Sequence, residues 1–425
     1  MSVPTVLDPM GALGRPLLVI LLLVATSCDP SAGVGPDPSG TAPDPIFQLP
    51  RDLTPAELQV IESSNEFGFD LLREVAEGNR AATVFLSPFS ASMALGMTLN
   101  GADGATFDAM RETLRFGDLE EEEINSSYAG LLELLGDLDP EVETTVANAI
   151  WHRQGTTLRE DFRDRVEETF GARIEDLDFS APDAADIIND WVSGATGGRI
   201  DKMVTPPIPG NVVAYLMNAI YFKAGWTVPF DPELTSSAPF RLKDGSTENV
   251  EMMMRDDTIP YFGTDRYDAV DLPYGGQAYS MTVVVPREGV DVHDLVEELD
   301  AEGWGALTAG FTTIRIQLSL PRFEIEWEGA LNDALVAMGM GPAFGPGANF
   351  SRMFEGTGAW IDEVKQKSFV RVDEEGTEAA AVTSVVMVES APPQVRADRP
   401  FLFVIRERLS DTILFMGLIV EAPRL

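Results

Sequence analysis

The stretch that most constrains the fold of this chain lies near its carboxyl end. Residues 374–376 (Glu-Glu-Gly) break a strand pattern, and every side chain of residues 377–383 except that of Glu378 is no larger than valine. Residues 385–388 are apolar, and the Pro392-Pro393 pair then blocks a helix and disfavours a central strand. The pattern predicts a mobile loop, residues 374–397, between two strands, the second of which begins near Phe401.

The small side chains would suit a segment that enters a sheet already formed. Successive side chains of a strand point to opposite faces, and small ones slide between packed elements with little steric hindrance. One face would carry Thr377, Ala379, Ala381 and Thr383, and the other Glu378, Ala380, Val382 and Ser384. A short Ala-rich helix and an ordinary core strand remain open as alternatives.

Six motifs, in one order, resemble those of the serpins. EEGTEAAAVT (374–383) resembles the hinge of the serpin reactive loop, and VFLSPFSASMALGMTLNGA (84–102) resembles the strand that leads into a buried helix. NAIYFKAGW (218–226), LPYGGQAYSMTVVVP (272–286) and LSLPRFEIEW (318–327) are similar to serpin strands, and residues 399–423 are similar to the closing hairpin. The resemblance covers residues 52–425.

The resemblance implies an α+β fold, in which three mixed β-sheets are surrounded by about eight to nine helices and the reactive loop is exposed. It implies a suicide-type inhibitor, in the first place of a serine endopeptidase. That protease would cut the loop and stay bound as a covalent acyl-enzyme while the loop inserts into the main sheet. The inhibitor is expected to be a monomer. Two alternatives remain: a non-inhibitory serpin-fold binding or chaperone protein and, more remotely, a hydrolase.

The resemblance also assigns roles to individual residues. Trp226 matches the breach, where insertion begins, although it also fits a buried aromatic residue. Gln366 stands in the shutter where serpins usually have histidine, and Ser87 and Ser90 also fit plain helix caps. The hinge would comprise Glu374, Gly376, Thr377, Glu378, Ala379, Ala380, Ala381, Val382 and Thr383, and the shutter Ser87, Ser90, Asn218 and Gln366.

The loop is one residue shorter than the commonest serpin spacing, so the scissile bond has two counts. Counting back from Pro400 places it between Glu389 and Ser390, which we favour, because many serpins place serine just after the cut. Counting forward from Glu374 places it between Ser390 and Ala391. The apolar run permits an elastase-like cut at Met387-Val388 or Val388-Glu389.

The amino-terminal residues predict export. Arg15 precedes an apolar run (17–25), and Thr26-Ser27 precede the single cysteine, Cys28. This resembles a bacterial lipoprotein signal with Cys28 acylated, although Ala25 replaces the usual leucine. A plain secretory signal with an incidental cysteine remains open. Residues 1–28 would be the signal, 29–50 a disordered Pro/Gly/Ser tether and 51–425 one domain. The protein would be anchored in a membrane only by lipid, or secreted to the periplasm or the extracellular space.

Charge and histidine content exclude several function classes. The 69 acidic residues against 30 basic ones give a net charge of −39, which disfavours nucleic acid. The acid run 118–123 would repel a heparin-type polyanion. The two histidines, His152 and His293, have no metal-binding spacing, and no GxSxG or phosphate-binding motif occurs. We therefore expect no catalytic residue, cofactor or metal. We expect both histidines to be ordinary surface residues.

Overall fold

Helices surround the sheets of the domain. The computed structural model describes residues 44–356, 358–377 and 392–425, except for the side chains of Ala219 and Thr377. Its α-helices are α1 (Pro55–Gly78), α2 (Pro88–Leu99), α3 (Gly104–Thr113), α4 (Glu121–Asp137), α5 (Glu160–Phe170), α6 (Ala184–Ala195), α7 (Val292–Glu298), α8 (Ala301–Ala309) and α9 (Asn332–Leu335). Short 3-10 helices span Pro232–Leu234 and Gly341–Ala343, and a π-helix spans Val336–Met340.

The largest sheet has nine strands and forms much of the core. Its central strands are buried along their whole length, and their sequences are therefore mostly apolar on both faces rather than alternating. The strands are β1 (Val84–Leu86), β5 (Ser236–Arg241), β6 (Thr247–Gly263), β7 (Tyr267–Tyr274), β8 (Tyr279–Pro286), β9 (Thr312–Pro321), β13 (Gln394–Arg396), β14 (Phe401–Glu407) and β15 (Ile413–Ile419). The order is β1-β15-β14-β8-β7-β6-β9-β13, with β5 paired to β6 and β13 parallel to β9.

Two smaller sheets complete the described part of the fold. One has the order β12-β4-β2-β3 and contains β2 (Val142–Arg153), β3 (Arg173–Leu177), β4 (Ala214–Gly225) and β12 (Gly376–Thr377). The other pairs β10 (Phe323–Ala330) with β11 (Lys365–Val372) in antiparallel register. Three sheets and nine α-helices in the described residues confirm the predicted α+β serpin fold.

Helix α2 connects the four-stranded sheet to the nine-stranded one. Eleven of its twelve residues are buried, as expected for a helix that is apolar all round and enclosed by other elements. Its Ser90 contacts Asn218 of β4, and Ser87, its cap, contacts the carbonyl of Leu414 in β15. On the opposite face of β4, Met217 belongs to a second core with Ile188 and Val192 of α6. The side chains of β4 therefore alternate between α2 and α6.

The prediction that both histidines lie at the surface is wrong. His152 in β2 and His293 in α7 expose 4% and 3% of their surface. His293 forms a 2.9 Å hydrogen bond through Nε2 with the carbonyl of Arg80. Neither ring nitrogen of His152 has a partner among the described residues, and burial lowers its pKa below 6.5. Sequence reasoning failed here because both residues stand beside charged neighbours.

The amino-terminal end of the described chain meets the loop between β7 and β8. Residues 44–50 have an irregular backbone, and the amide of Ile46 donates to the carbonyl of Gly276 at 2.7 Å. The predicted signal, the acylated Cys28 and residues 29–43 of the predicted tether lie outside the described residues. Within the described part, no helix combines the length and apolar character needed to cross a bilayer.

Candidate functional site

Strands β4 and β11 face each other across a gap. β4 pairs with β2 along one edge, and β11 pairs with β10 along one edge, but the two do not pair with each other. Residues 220–222 and 369–371 line the narrow upper part of this gap, and residues 213–218 and 364–366 line its wider lower part. Two strand edges with unpaired backbone groups can accept a strand between them. We call this gap the slot.

The chain turns back on itself at the upper end of the slot. After β11, the amide of Asp373 donates to the carbonyl of Gly376 at 3.0 Å, and β12 then runs antiparallel to β4. Gly376 lies opposite Gly225 with φ of 140°, in the region that favours glycine. A Cβ at Gly376 would lie 2.5 Å from the carbonyl oxygen of Ala224. The close approach of the two backbones therefore requires glycine at this position.

Glu374 anchors this turn through its carboxylate. The side chain of Arg322 donates to Oε1 of Glu374 at 2.7 Å, Thr235 donates to the same oxygen, and Glu374 is only 4% exposed. Burial alone would raise the pKa of this carboxyl. The hydrogen bonds from Arg322 and Thr235 outweigh burial and hold the pKa below its usual value of 4.5. Sequence reasoning placed Glu374 in the hinge but missed Arg322 and Thr235, which no local pattern connects to it.

Trp226 lies directly beneath the turn. Its indole nitrogen donates to the carbonyl of Asp373 at 3.0 Å, and its backbone amide donates to the carbonyl of Glu375 at 2.9 Å. The ring stacks on Tyr274 with a centroid distance of 4.4 Å and meets the ring of Phe230 edge-on. Trp226 is thus both a buried aromatic residue and a hydrogen-bond donor to the turn.

The four predicted shutter residues form two contacts beside the slot. Gln366 of β11 accepts from the amide of Ser87 at 3.0 Å and donates to its carbonyl at 2.9 Å. On the β4 side, Ser90 donates to the side-chain oxygen of Asn218. Ser87 also accepts from the amide of Ser90, so its role as a helix cap coexists with these contacts. Helix α2 therefore holds one residue of each slot wall by hydrogen bonds.

Asn148 extends this network and was missed by sequence reasoning. The side-chain nitrogen of Asn218 donates to Asn148 at 2.7 Å, and Asn148 donates to the carbonyl of Phe170 at 2.8 Å. Asn148 is 3% exposed and lies in a strand with apolar neighbours. A lone buried asparagine in an apolar strand was the available signal, because such a side chain must find partners.

Arg199 lies over the upper part of the slot. Its guanidinium carbon stands 5.3 Å from the centre of the Phe369 ring in β11. Burial raises the pKa of the Tyr221 phenol in β4, and a hydrogen bond from Arg199 counteracts part of that rise. Arg199 thereby contacts both walls.

Most of the predicted hinge and all of the candidate scissile bonds lie outside the described residues. Thr377 is present as backbone, opposite Ala224. Among the described residues, no group of three His, Cys, Asp or Glu side chains could hold a metal ion. The remaining hinge residues (Glu378, Ala379, Ala380, Ala381, Val382 and Thr383) and the candidate cleavage residues (Met387, Val388, Glu389, Ser390 and Ala391) lie outside the described part.

Sequence comparisons agree with this architecture. A family model described as serpin (serine protease inhibitor) matches residues 62–422. An uncharacterized serpin-like protein of Thermococcus kodakarensis is 34% identical over 401 residues, which cover 92% of this chain and 91% of that protein. The leukocyte elastase inhibitor of Homo sapiens is 32% identical over 377 residues, 84% of this chain and 98% of its own.

Comparisons of structure lead to the same family. Tengpin, a thermophilic serpin in its native state, superposes with a TM-score of 0.78 at 27% identity, over 90% of this chain and 97% of its own. Human thyroxine-binding globulin superposes with a TM-score of 0.80 at 26% identity, over 87% of this chain and 100% of its own.

Replacing Glu374 by glutamine should destabilise the protein. We expect a loss of about 1–2 kcal/mol at pH 7, because hydrogen bonds to a charged group are stronger than neutral ones. The pKa of Glu374 is lowered in the folded state, so its contribution is complete above pH 4.5 and is lost as the pH falls through the folded pKa. Urea unfolding at several pH values should therefore show the difference between wild type and Glu374→Gln disappearing in acid.

Glu375→Gln is the matched control. The side chain of Glu375 is exposed, and only its backbone is used: its carbonyl accepts from the amide of Trp226 and its amide donates to Asp373. This substitution should change stability by less than about 0.5 kcal/mol. Equal losses for the two variants would contradict a specific anchor at Glu374.

Proposed function

Since this chain belongs to the serpin family of serine protease inhibitors, we propose that it traps a serine protease by inserting its own cleaved loop into the slot. The observation that carries the proposal is the pairing of β12. Gly376 and Thr377 already occupy the uppermost two positions beside β4, while the rest of its edge is unpaired in the described structure. The inserted strand would extend a pairing that exists before cleavage.

The register of β12 fixes the register of insertion. Gly376 lies opposite Gly225 and Thr377 opposite Ala224. Continued without a bulge, this pairing sets residues 376–387 against the twelve residues of β4. Ala381 would lie opposite Ile220, and Thr383 opposite Asn218. Directly opposed residues of antiparallel strands share a face, so both would point towards α2, in agreement with the alternation read from the sequence.

The chemistry requires no catalytic group of this chain. The serine of the protease attacks the scissile carbonyl, the peptide bond breaks, and an ester joins the protease to the new carboxyl end of the loop. The freed segment then fills the slot and gains a ladder of hydrogen bonds on both edges. Twelve strand residues span roughly 40 Å, so the bound protease would be carried that distance and distorted before water hydrolyses the ester.

An ion pair would help to orient the inserted strand, because it would hold the one charged residue of segment 377–383 on the outer face. Lys223 lies opposite Glu143 in β2, and the same register brings Glu378 opposite Lys223 on the other side. Opposite charges on adjacent strands stabilise a sheet by a few tenths of a kcal/mol per pair. The single charged residue of the hinge would thus face a cation instead of the core.

A non-inhibitory role is the second candidate. The superposition on thyroxine-binding globulin favours it, since that protein is named for what it binds. A hinge with bulky, charged or proline residues on its inward face would support it, but the inward positions 377, 379, 381 and 383 are Thr, Ala, Ala and Thr. We therefore retain inhibition as the proposal.

Arginine on the inward face should convert the inhibitor into a substrate. Ala381→Arg would bury an unpaired charge against α2 on insertion, which costs several kcal/mol, so insertion should slow and hydrolysis should finish first. Ala381→Glu and Ala380→Glu form the matched pair, because the first would bury a carboxylate against α2 and the second would place one on the outer face near Arg199, opposite Tyr221. Denaturing gels of each variant mixed with protease measure the stable complex. Full complex formation by Ala381→Arg would argue against insertion.

The scissile bond is proposed to be Glu389-Ser390. A glutamate before the cut suits a protease with a cationic specificity pocket, whereas the leukocyte elastase inhibitors among the relatives favour the Met387-Val388 or Val388-Glu389 alternatives. Mass spectrometry of the released carboxyl-terminal peptide should find Ser390 at its start after incubation with a glutamyl-specific protease. A peptide that begins at Ala391 would support the forward count, and one beginning at Val388 or Glu389 an elastase-like target.

Export and anchoring are proposed from the amino-terminal sequence alone. Acylation of Cys28 would tether the inhibitor to a membrane, so most of the wild-type protein should sediment with membranes and Cys28→Ser should release it. Inhibition should be unaltered in the released protein. An unmodified wild-type protein in the soluble fraction would refute the lipid anchor and leave the inhibitor proposal intact.

A further inference from the structure

The lower part of the slot widens into a cavity of about 380 Å³. Buried side chains of helix α2, Ala91 and Leu95, line it together with Met353 and Phe354. The volume lies within the range of sites that hold small molecules, roughly 300–1,000 Å³. The register of β12 would bring residues 383–387 here only after insertion, so before cleavage the cavity is available to another occupant.

Four polar side chains that line the cavity, those of Thr98, Ser90, Asn218 and Gln366, are already paired. The hydroxyl of Thr98 donates to the carbonyl of Ala94 at 2.8 Å. Ser90 and Asn218 bond each other, and both polar atoms of the Gln366 side chain are used by Ser87. A polar ligand would find no free partner among these four side chains, although the backbone groups of the two strand edges remain free in the described structure, while the remaining side chains named above are apolar. The interior therefore suits an apolar, flexible body.

The rim of the same cavity is negatively charged. Asp362 and Glu363 are exposed and form no ion pair with any residue that the structure describes. Lys365, the one cation among the described residues that line the cavity, is paired with Glu328 at 3.0 Å. Burial raises the pKa of the Tyr215 phenol, and the charges of Glu363 and Asp362 raise it further, which agrees with a negative potential at this end.

An exposed aromatic residue stands beside the two carboxylates. Trp360 lines the rim and exposes 42% of its surface. Indole faces attract ammonium groups, and a negative rim attracts them from a distance. We propose that the cavity binds an amphiphilic primary amine, with its alkyl chain against α2 and its ammonium group between Asp362 and Glu363. Its functional consequence rests on the proposed insertion: the bound amine would block residues 383–387 and make the protein a substrate.

Titration calorimetry with octylammonium, below its critical micelle concentration and in 0.15 M salt, tests the site directly. Octylammonium should bind about tenfold more tightly than octanoate, which has the same chain and the opposite charge. The double variant Asp362→Asn/Glu363→Gln should abolish this preference. Glu167→Gln/Glu168→Gln is the matched control: it removes two adjacent exposed carboxylates on α5 and should leave the preference unchanged.

The cavity itself is tested by Ala94→Phe, which should weaken the binding of both ligands by filling the interior. Equal affinity for octylammonium and octanoate, or an unaltered preference in the Asp362/Glu363 variant, would overturn the inference.

The loop-cleaved protein separates this inference from the proposed function. If cleavage raises the thermal midpoint and abolishes octylammonium binding, both stand. If cleavage raises the midpoint but binding persists, the amine does not occupy the slot and the inference is wrong. If cleavage leaves the midpoint and the binding unchanged, the cavity site stands and the insertion proposal falls.

Discussion

The unpaired edges of β4 and β11 are the constraint on which the rest of the structure depends. A buried strand edge with unsatisfied backbone groups is unfavourable, and two such edges remain apart here only because other contacts hold them. Ser90 and Gln366 tie each wall to α2 or its cap, Arg199 contacts both walls, and Glu374 and Trp226 hold the turn at the top. The described strands thus leave a gap between β4 and β11, which the proposed insertion of the loop would fill.

The family resemblance predicted the overall architecture, and local signals predicted individual elements. Thr54 and Glu57 form a capping box at the start of α1, and α1 ends at Gly78; the three-residue spacing of Thr and Glu and the glycine are both local sequence signals. The alternation of the hinge stays a prediction, because the register of β12 covers only Gly376 and Thr377. Arg322 and Thr235 could not be found, because they lie 52 and 139 residues from Glu374 and only the assembled sheets bring them to it. The cavity beside α2 was equally inaccessible, since it is space left between elements rather than a pattern of residues.

The excess of acid shapes the surface without disturbing the core. Several of the few cations are committed to single carboxylates at functional positions, such as Arg322 with Glu374 and Lys365 with Glu328. Asp362 and Glu363 have no such partner within the described ranges, and they therefore give the rim of the slot its negative character. The composition predicted that the surface potential is negative, but not which carboxylates would lack a cationic partner among the described residues.

Gly376 has a consequence for how the loop can vary in length. The close backbone contact between Gly376 and Ala224 leaves no room for a side chain. Gly376 would therefore be the fixed first residue of the strand in the proposed insertion. A slip of one residue would turn every small side chain outward, so the register of the proposed insertion is fixed at Gly376. The number of residues between Gly376 and the cut would then decide how far the bound protease is carried along the slot. Insertions or deletions after the cut would change neither the position of Gly376 nor the distance that the protease is carried. The arm before Phe401 is therefore where a loop of this kind could shorten without such a change. The favoured cut at Glu389-Ser390 keeps the usual spacing to Pro400, so the missing residue would lie before the cut, and the protease would be drawn one residue less far than usual.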